Sequence, residues 1–116
     1  MSEKNYDAAA PQPMPVGEGV DVAVVAAERL KELGYDELAE DIEARIRLGE
    51  RKYGTRLKAF NGRDAYMDAY QEILDFLNYT MQGVVERLEG SQSLFDRAVS
   101  LAVDVQGLMN GKGKNL

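Results

Sequence analysis

One long stretch, residues 63–89, constrains the fold of this 116-residue chain more than any other feature. Its apolar side chains recur every three or four residues, at Tyr66, Tyr70, Ile73, Leu77, Met81, Val84 and Leu88. That spacing places them on one side of an α-helix that spans roughly 40 Å, at about 1.5 Å per residue. Because a helix of this length needs other helices to cover its apolar side, the sequence predicts an all-α protein.

Apolar spacing and capping residues predict three more helices, over residues 21–33, 37–52 and 93–108. Asp21 is a suitable N-cap for the first of them, and Ser93 with Asp96 forms a capping-box-like start for the last. We therefore expect a single helical domain over residues 20–109. Its arrangement would resemble a four-helix bundle around the long central helix and would be completed by oligomerisation.

The two ends of the chain lack the pattern of a packed element. Residues 1–19 contain all three prolines, together with Gly17 and Gly19, and predict a disordered N-terminal tail. An arm that packs on a neighbouring subunit is the alternative. Residues 110–116 carry two glycines and two lysines and predict a flexible C-terminal tail.

Composition excludes several classes of function. The chain has no cysteine and no histidine, which rules out disulfides, Cys-His and Ser-His-Asp catalysis, and Cys- or His-ligated metals. A net charge of -6 argues against nucleic-acid binding. No apolar run reaches the roughly 20 residues that span a bilayer, and no signal peptide is visible. We expect a cytoplasmic protein with neither nucleic acid nor membrane as a partner.

The predicted long helix carries acidic side chains on the face opposite its apolar one. Asp64, Asp68 and Glu72 follow each other at i+4 spacing, and Asp75 comes three residues later. Like charges at this spacing each cost about 0.2–0.5 kcal/mol, a cost that a divalent cation would reverse. Oxygen ligands suit Mg²⁺. A solvated helix face is the alternative explanation.

A second acidic pair, Glu40 and Glu43, lies on the predicted helix over residues 37–52, with Glu50 two turns beyond Glu43. If this helix packs antiparallel to the long helix, the two sets of carboxylates could face each other. The alternative is again a solvated face, because this helix is charged all round and Arg47 can pair with Glu43.

The segment between residues 51 and 63 is basic and contains no Asp or Glu. We expect Lys52, Arg56 and Arg63 to bind phosphate, because guanidinium groups bind phosphate bidentately and a helix N-terminus offers free N–H groups. Tyr53 and Tyr79 could stack on a base, as could Phe60, although each could equally belong to the core. A basic loop beside paired carboxylates is what a Mg²⁺-polyphosphate ligand requires.

These residues resemble a known family. Glu40-x-x-Glu43 followed by Glu72-x-x-Asp75 resembles the ExxE…ExxD pattern of the MazG-like, all-α nucleoside triphosphate pyrophosphohydrolases. Small proteins encoded by phages and prophages are similar in three strings, Arg47-x-Gly49-x-x-x-Tyr53-Gly54-Thr55-x-Leu57, Asn61-Gly62-Arg63-Asp64-Ala65 and Asp68-Ala69-Tyr70-Gln71-Glu72-x-Leu74-Asp75. The resemblance covers roughly residues 36–88.

The resemblance implies a metal site and a reaction. Glu40, Glu43, Glu72 and Asp75 would hold Mg²⁺, and Glu43 or Glu72 would orient the water that cleaves between the α and β phosphates. The usual paired Glu of the first motif is replaced by Glu40-Asp41, so Glu50 remains an alternative first-motif partner.

Three hypotheses of function follow. The first is a Mg²⁺-dependent nucleotide pyrophosphohydrolase acting on a nucleoside triphosphate or a related nucleotide. The second is a non-catalytic phage protein that binds and sequesters a nucleotide signal without metal, and the third is a structural helical oligomer. In all three we expect a homo-oligomer, dimer or tetramer, that buries the flank of the long helix carrying Ala65, Ala69 and Phe76.

Overall fold

The computed structural model describes residues 4–15 and 19–111. They form four helices: α1 (Val22–Glu32), α2 (Asp36–Tyr53), α3 (Ala65–Val85) and α4 (Ser91–Asn110). Within these residues there is no strand, and the one isolated bridge pairs Asp21 with Lys58. The predicted all-α fold class is confirmed. None of the helices in the described ranges is long and apolar enough to cross a membrane.

The ends of α3 and α4 differ from the sequence-based prediction. The N-cap of α3 is Asp64, whose carboxylate accepts hydrogen bonds from the backbone N–H groups of Tyr66 and Met67. The helix ends at Val85 rather than near residue 89, because Arg87 adopts a left-handed conformation with φ 62°. Gly90, with φ 85°, is the N-cap of α4, so the predicted capping box at Ser93 is wrong.

The helices pack as two pairs, α1 with α2 and α3 with α4. The chain accordingly divides into two units, whereas the sequence predicts one helical domain. The α1–α2 unit is Pro13–Arg63, and the α3–α4 unit combines Met1–Gln12 with Asp64–Leu116. Each pair is joined by a short turn, which favours antiparallel packing of helices that are neighbours in sequence.

In the α1–α2 unit, small side chains fill the contact between the helices. Ala23, Ala27 and Ala39 are its buried apolar residues. The segment that follows α2 returns to the start of α1, where the N–H of Val22 donates to the Leu57 carbonyl at 3.0 Å. The N–H of Ala59 donates to the Val20 carbonyl at 2.8 Å. These bonds hold the basic segment against the N-terminus of α1.

The α3–α4 unit has the larger apolar core. Its buried residues contact one another across the two helices: Met67, Tyr70, Ala102, Val105 and Met109. The ring of Tyr6 lies edge-on to that of Tyr70, with centroids 5.4 Å apart. Tyr6 therefore adds an aromatic side chain from the N-terminal segment to this core.

The N-terminal segment, predicted as a disordered tail, is bound to α3 and α4 over residues 5–12. The Gln71 side-chain amide donates to the carbonyls of Ala8 and Ala10. Asn5 donates two hydrogen bonds to Asn110, one from its backbone N–H to Oδ1 and one from its side-chain amide to the backbone carbonyl. Side-chain amides can bind an irregular backbone that has no helical partner of its own. Residues 1–3 and 16–18 of the predicted tail, and 112–116 of the C-terminal one, lie outside the described residues; α4 itself continues to Asn110.

Two helical glycines provide a test of the α3–α4 packing. A Cβ on Gly83 would lie 2.9 Å from the Cβ of Ser91, so we expect Gly83→Ala to lower the free energy of unfolding by about 1–3 kcal/mol. A Cβ on Gly107 meets nothing within 4 Å, so Gly107→Ala should raise it by about 0.5–1 kcal/mol. Urea unfolding followed by far-UV circular dichroism measures both, and equal effects would contradict the close helix approach.

Candidate functional site

Arg56 is the charged side chain that joins three elements of the α1–α2 unit. Its Nε donates to Asp21 Oδ2 at 2.6 Å, and its Nη2 donates to Glu43 Oε1 at 2.9 Å. Only 17% of the Arg56 side chain is exposed. One guanidinium group thus joins the loop after α2 to the N-cap of α1 and to the middle of α2.

Asp21 has two functions in this cluster. Its Oδ1 accepts the N–H of Val24 at 3.3 Å and caps α1, as the sequence predicts, while its Oδ2 accepts from Arg56. Lys58 Nζ is 3.8 Å from the same oxygen. The hydrogen bond from Arg56 lowers the pKa of Asp21 most strongly, and partial burial opposes that effect. The two carboxylates in turn raise the pKa of Arg56 above its ordinary value.

The three residues predicted to bind phosphate have different surroundings. Arg56 is engaged by Asp21 and Glu43, so a phosphate would have to compete with two carboxylates for it. Arg63 donates to the Pro13 carbonyl at 3.0 Å. Lys52 is exposed at the end of α2, with its Nζ 5.3 Å from the centre of the Tyr53 ring. Of the three, Lys52 is the most accessible to a ligand in solution.

The first acidic pair lies on one side of α2, one turn apart. Glu40 is exposed, and Glu43 is half-buried beneath Arg56. The second oxygen of Glu43 is 3.9 Å from Arg47, a contact that the spacing of the two residues predicts. Glu50, the alternative partner, is exposed in the last turns of the same helix.

The second acidic pair, Glu72 and Asp75, lies in the middle of α3, and both side chains are exposed. The first two acidic residues of this face have local structural roles. Asp64 caps the helix, and Asp68 in the first turn complements the helix dipole and accepts a hydrogen bond from Gln12. Glu72 and Asp75 are therefore the two residues of the predicted acidic face that have no role at the N-terminus of α3, and they remain candidate metal ligands.

The predicted metal ligands fall in two units, with Glu40 and Glu43 in the α1–α2 unit and Glu72 and Asp75 in the α3–α4 unit. Within either unit, the described residues bring no three acidic side chains together as a metal-binding group. Four-carboxylate coordination of Mg²⁺ therefore stays a prediction.

The predicted base-binding residues are both accessible. Tyr53 ends α2 and is 73% exposed, and Tyr79 on α3 is 69% exposed. They belong to different units, with Tyr53 next to Lys52 and Tyr79 one turn beyond Asp75. Both rings lie on the surface rather than in a core, so each tyrosine could stack on a base.

Sequence reasoning missed the role of Asp21 as the ion-pair partner of Arg56. The signal is weak, because 35 residues separate the two and no local spacing connects them. It also missed a groove of about 640 Å³ between α3 and α4, lined by Glu72, Ile73, Phe76, Leu94, Arg97, Ala98 and Leu101. Comparisons of the chain with protein-family models, with curated proteins and with solved structures find no match.

The ion pair of Asp21 gives a prediction on pH. Since Arg56 holds the pKa of Asp21 below its ordinary value, the stabilisation is fully present above the unfolded pKa of about 3.9 and is lost as pH falls through the folded pKa. We expect Arg56→Gln to lower Tm at neutral pH and to make the fall of Tm below about pH 4 shallower. Thermal unfolding followed by circular dichroism at a series of pH values measures both effects.

The control for this experiment is Arg45→Gln on α2, the helix that carries Glu43. Arg45 is exposed and has no ion pair among the described residues. It should keep the wild-type dependence of Tm on pH. If Arg56→Gln also keeps that dependence, the ion pair does not stabilise the fold.

Proposed function

We propose that this protein is a Mg²⁺-dependent nucleotide pyrophosphohydrolase similar to the MazG-like enzymes. The observation that carries the proposal is the pair Glu72 and Asp75, two exposed carboxylates of like charge one turn apart on α3. Neither makes an ion pair or a side-chain hydrogen bond within the described part of the chain. Like charges one turn apart repel each other and destabilise the helix, and a bound cation would offset that repulsion.

The donor set fits the metal. Mg²⁺ prefers oxygen ligands and is usually held by one or two carboxylates together with substrate phosphates and water. Glu72 and Asp75 supply such carboxylates, and Glu40 and Glu43 offer a second pair at the same spacing on α2. When bound, Mg²⁺ supplies charge neutralisation at the phosphates and activation of water. Glu43 or Glu72 would orient that water as a general base.

The cationic groups for the phosphates come from the last turn of α2 and from the segment that follows it. Lys52 is accessible, while Arg56 and Arg63 are held by protein oxygens. A triphosphate would draw on Lys52 first. Arg56 would act mainly by orienting Glu43, because its Nη2 donates to that carboxylate at 2.9 Å.

The test is hydrolysis of a panel of nucleoside triphosphates with Mg²⁺, with release of pyrophosphate and the nucleoside monophosphate as the readout. We expect turnover by the wild type and a loss of about 100-fold or more in Glu72→Gln and Asp75→Asn, because a metal ligand is removed in each. Both substitutions keep the side-chain size, so circular dichroism should be unchanged.

Asp104→Asn is the matched control, since Asp104 is an exposed carboxylate on α4 in the same unit and outside both acidic pairs. It should keep wild-type turnover. Absence of pyrophosphate release from every nucleotide, or equal losses in Asp104→Asn and Asp75→Asn, would refute the proposed enzyme.

A second candidate function is metal-independent nucleotide binding. The observation in its favour is the accessible group at the end of α2, where Lys52 lies near the Tyr53 ring and Phe60 is 95% exposed in the following loop. An exposed aromatic ring beside a lysine can stack on a base while the ammonium group meets a phosphate. Nothing in this pairing requires a metal ion.

Calorimetric titration with each nucleoside triphosphate in EDTA tests the second candidate. Binding that survives chelation, with the nucleotide recovered intact, supports it over the enzyme. Tyr53→Leu should weaken this binding by about 5- to 150-fold, the range expected for loss of one stacked base. Tyr35→Leu at the opposite end of α2 is the control and should bind as the wild type does.

A further inference from the structure

The groove between α3 and α4 is lined by apolar side chains that the helix pair leaves exposed. Phe76 comes from α3, and Leu94 and Leu101 come from α4; each is between 43% and 53% exposed. Leu108 continues the line from Leu94 and Leu101 at intervals of seven residues and is also exposed. A heptad-spaced row of leucines is the pattern that packs against another helix.

The distribution of buried and exposed side chains on α4 indicates that a partner helix is missing. Ala98, Ala102, Val105 and Met109 are buried, while the three leucines Leu94, Leu101 and Leu108 are exposed. Small residues in the α3–α4 contact permit close approach of the two helices. Three leucines would ordinarily fill a core, since removing leucine side chains from water stabilises a fold or an interface.

Charges along the groove are self-complementary. Glu72 lines it from α3 and Arg97 lines it from α4, and both are exposed. A two-fold axis parallel to the groove brings α3 of one copy over α4 of the other, so each Glu72 faces an Arg97. A two-fold axis across the groove instead brings α3 over α3, where like charges oppose each other. Charge therefore favours the first arrangement.

We infer that the groove between α3 and α4 is the docking site for a second copy of this chain, related by a two-fold axis along the groove. Leu94, Leu101 and Phe76 form its apolar centre, and reciprocal Glu72–Arg97 ion pairs border it. The exposed Ala65 and Ala69 on the flank of α3 that carries Phe76 allow the partner helix to approach closely. The association requires neither nucleotide nor metal, so it goes beyond the proposed function and can be tested apart from it.

The experiment is sedimentation equilibrium of the full chain in EDTA without nucleotide, over a range of concentrations. We expect the wild type to associate and Leu101→Asp to raise the dissociation constant by at least about 30-fold, as for a central apolar contact. Val103→Asp is the matched control, because Val103 is 58% exposed on α4 but does not line the groove. It should associate as the wild type does.

A charge exchange tests the pairing without placing a charge in the apolar centre. Arg97→Glu should weaken association by opposing Glu72, and adding Glu72→Arg should restore it. Circular dichroism shows whether each variant is folded. If Leu101→Asp does not fold, the charge exchange alone tests the docking site. A wild type that stays monomeric, equal effects of Leu101→Asp and Val103→Asp, or a double variant weaker than Arg97→Glu would each overturn the inference.

Discussion

The hydrogen bonds from the Arg56 guanidinium to Asp21 and Glu43 connect the parts of the α1–α2 unit. A single guanidinium group donates to Asp21, the N-cap of α1, and to Glu43 on α2, and it does so from the loop that follows α2. The loop is thereby fixed against both helices, and two backbone hydrogen bonds to Val20 and Val22 add to the attachment. Because Arg56 is only 17% exposed, these charged hydrogen bonds are less screened by solvent than a surface pair.

The candidate site residues differ in whether the fold already engages their charge. Glu43 is oriented by Arg56, whereas Lys52 and Tyr53 at the end of α2 remain accessible. In the α3–α4 unit, Asp64 caps α3 and Asp68 lies in its first turn, whereas Glu72 and Asp75 are exposed in the middle of the helix. Of the charged residues predicted to bind a ligand, only a few therefore carry a charge that has no role in stabilising the fold.

The α3–α4 unit shows how a short chain divides its apolar residues. Ala102, Val105 and Met109 of α4 form its core with Met67 and Tyr70 of α3, and Tyr6 joins from the N-terminal segment. Leucines lie on the flank, next to Glu72 and Arg97 in the same groove. The proposed metal ligand Glu72 and the inferred docking site lie on one face of α3, so that association of two copies would change the surroundings of Glu72.

The helices themselves were determined by the sequence, since apolar spacing and caps such as Asp21 act within a few residues of the chain. These local rules are why the all-α class could be predicted, and why the spacing of the acidic pairs was known in advance. Only the tertiary structure decided that Arg56 binds Asp21, that Gln71 holds the segment at Ala8 and Ala10, and that Leu101 is left exposed while Val105 is buried. Each of these depends on which residues meet from distant parts of the chain, and no periodicity of a single helix encodes that choice.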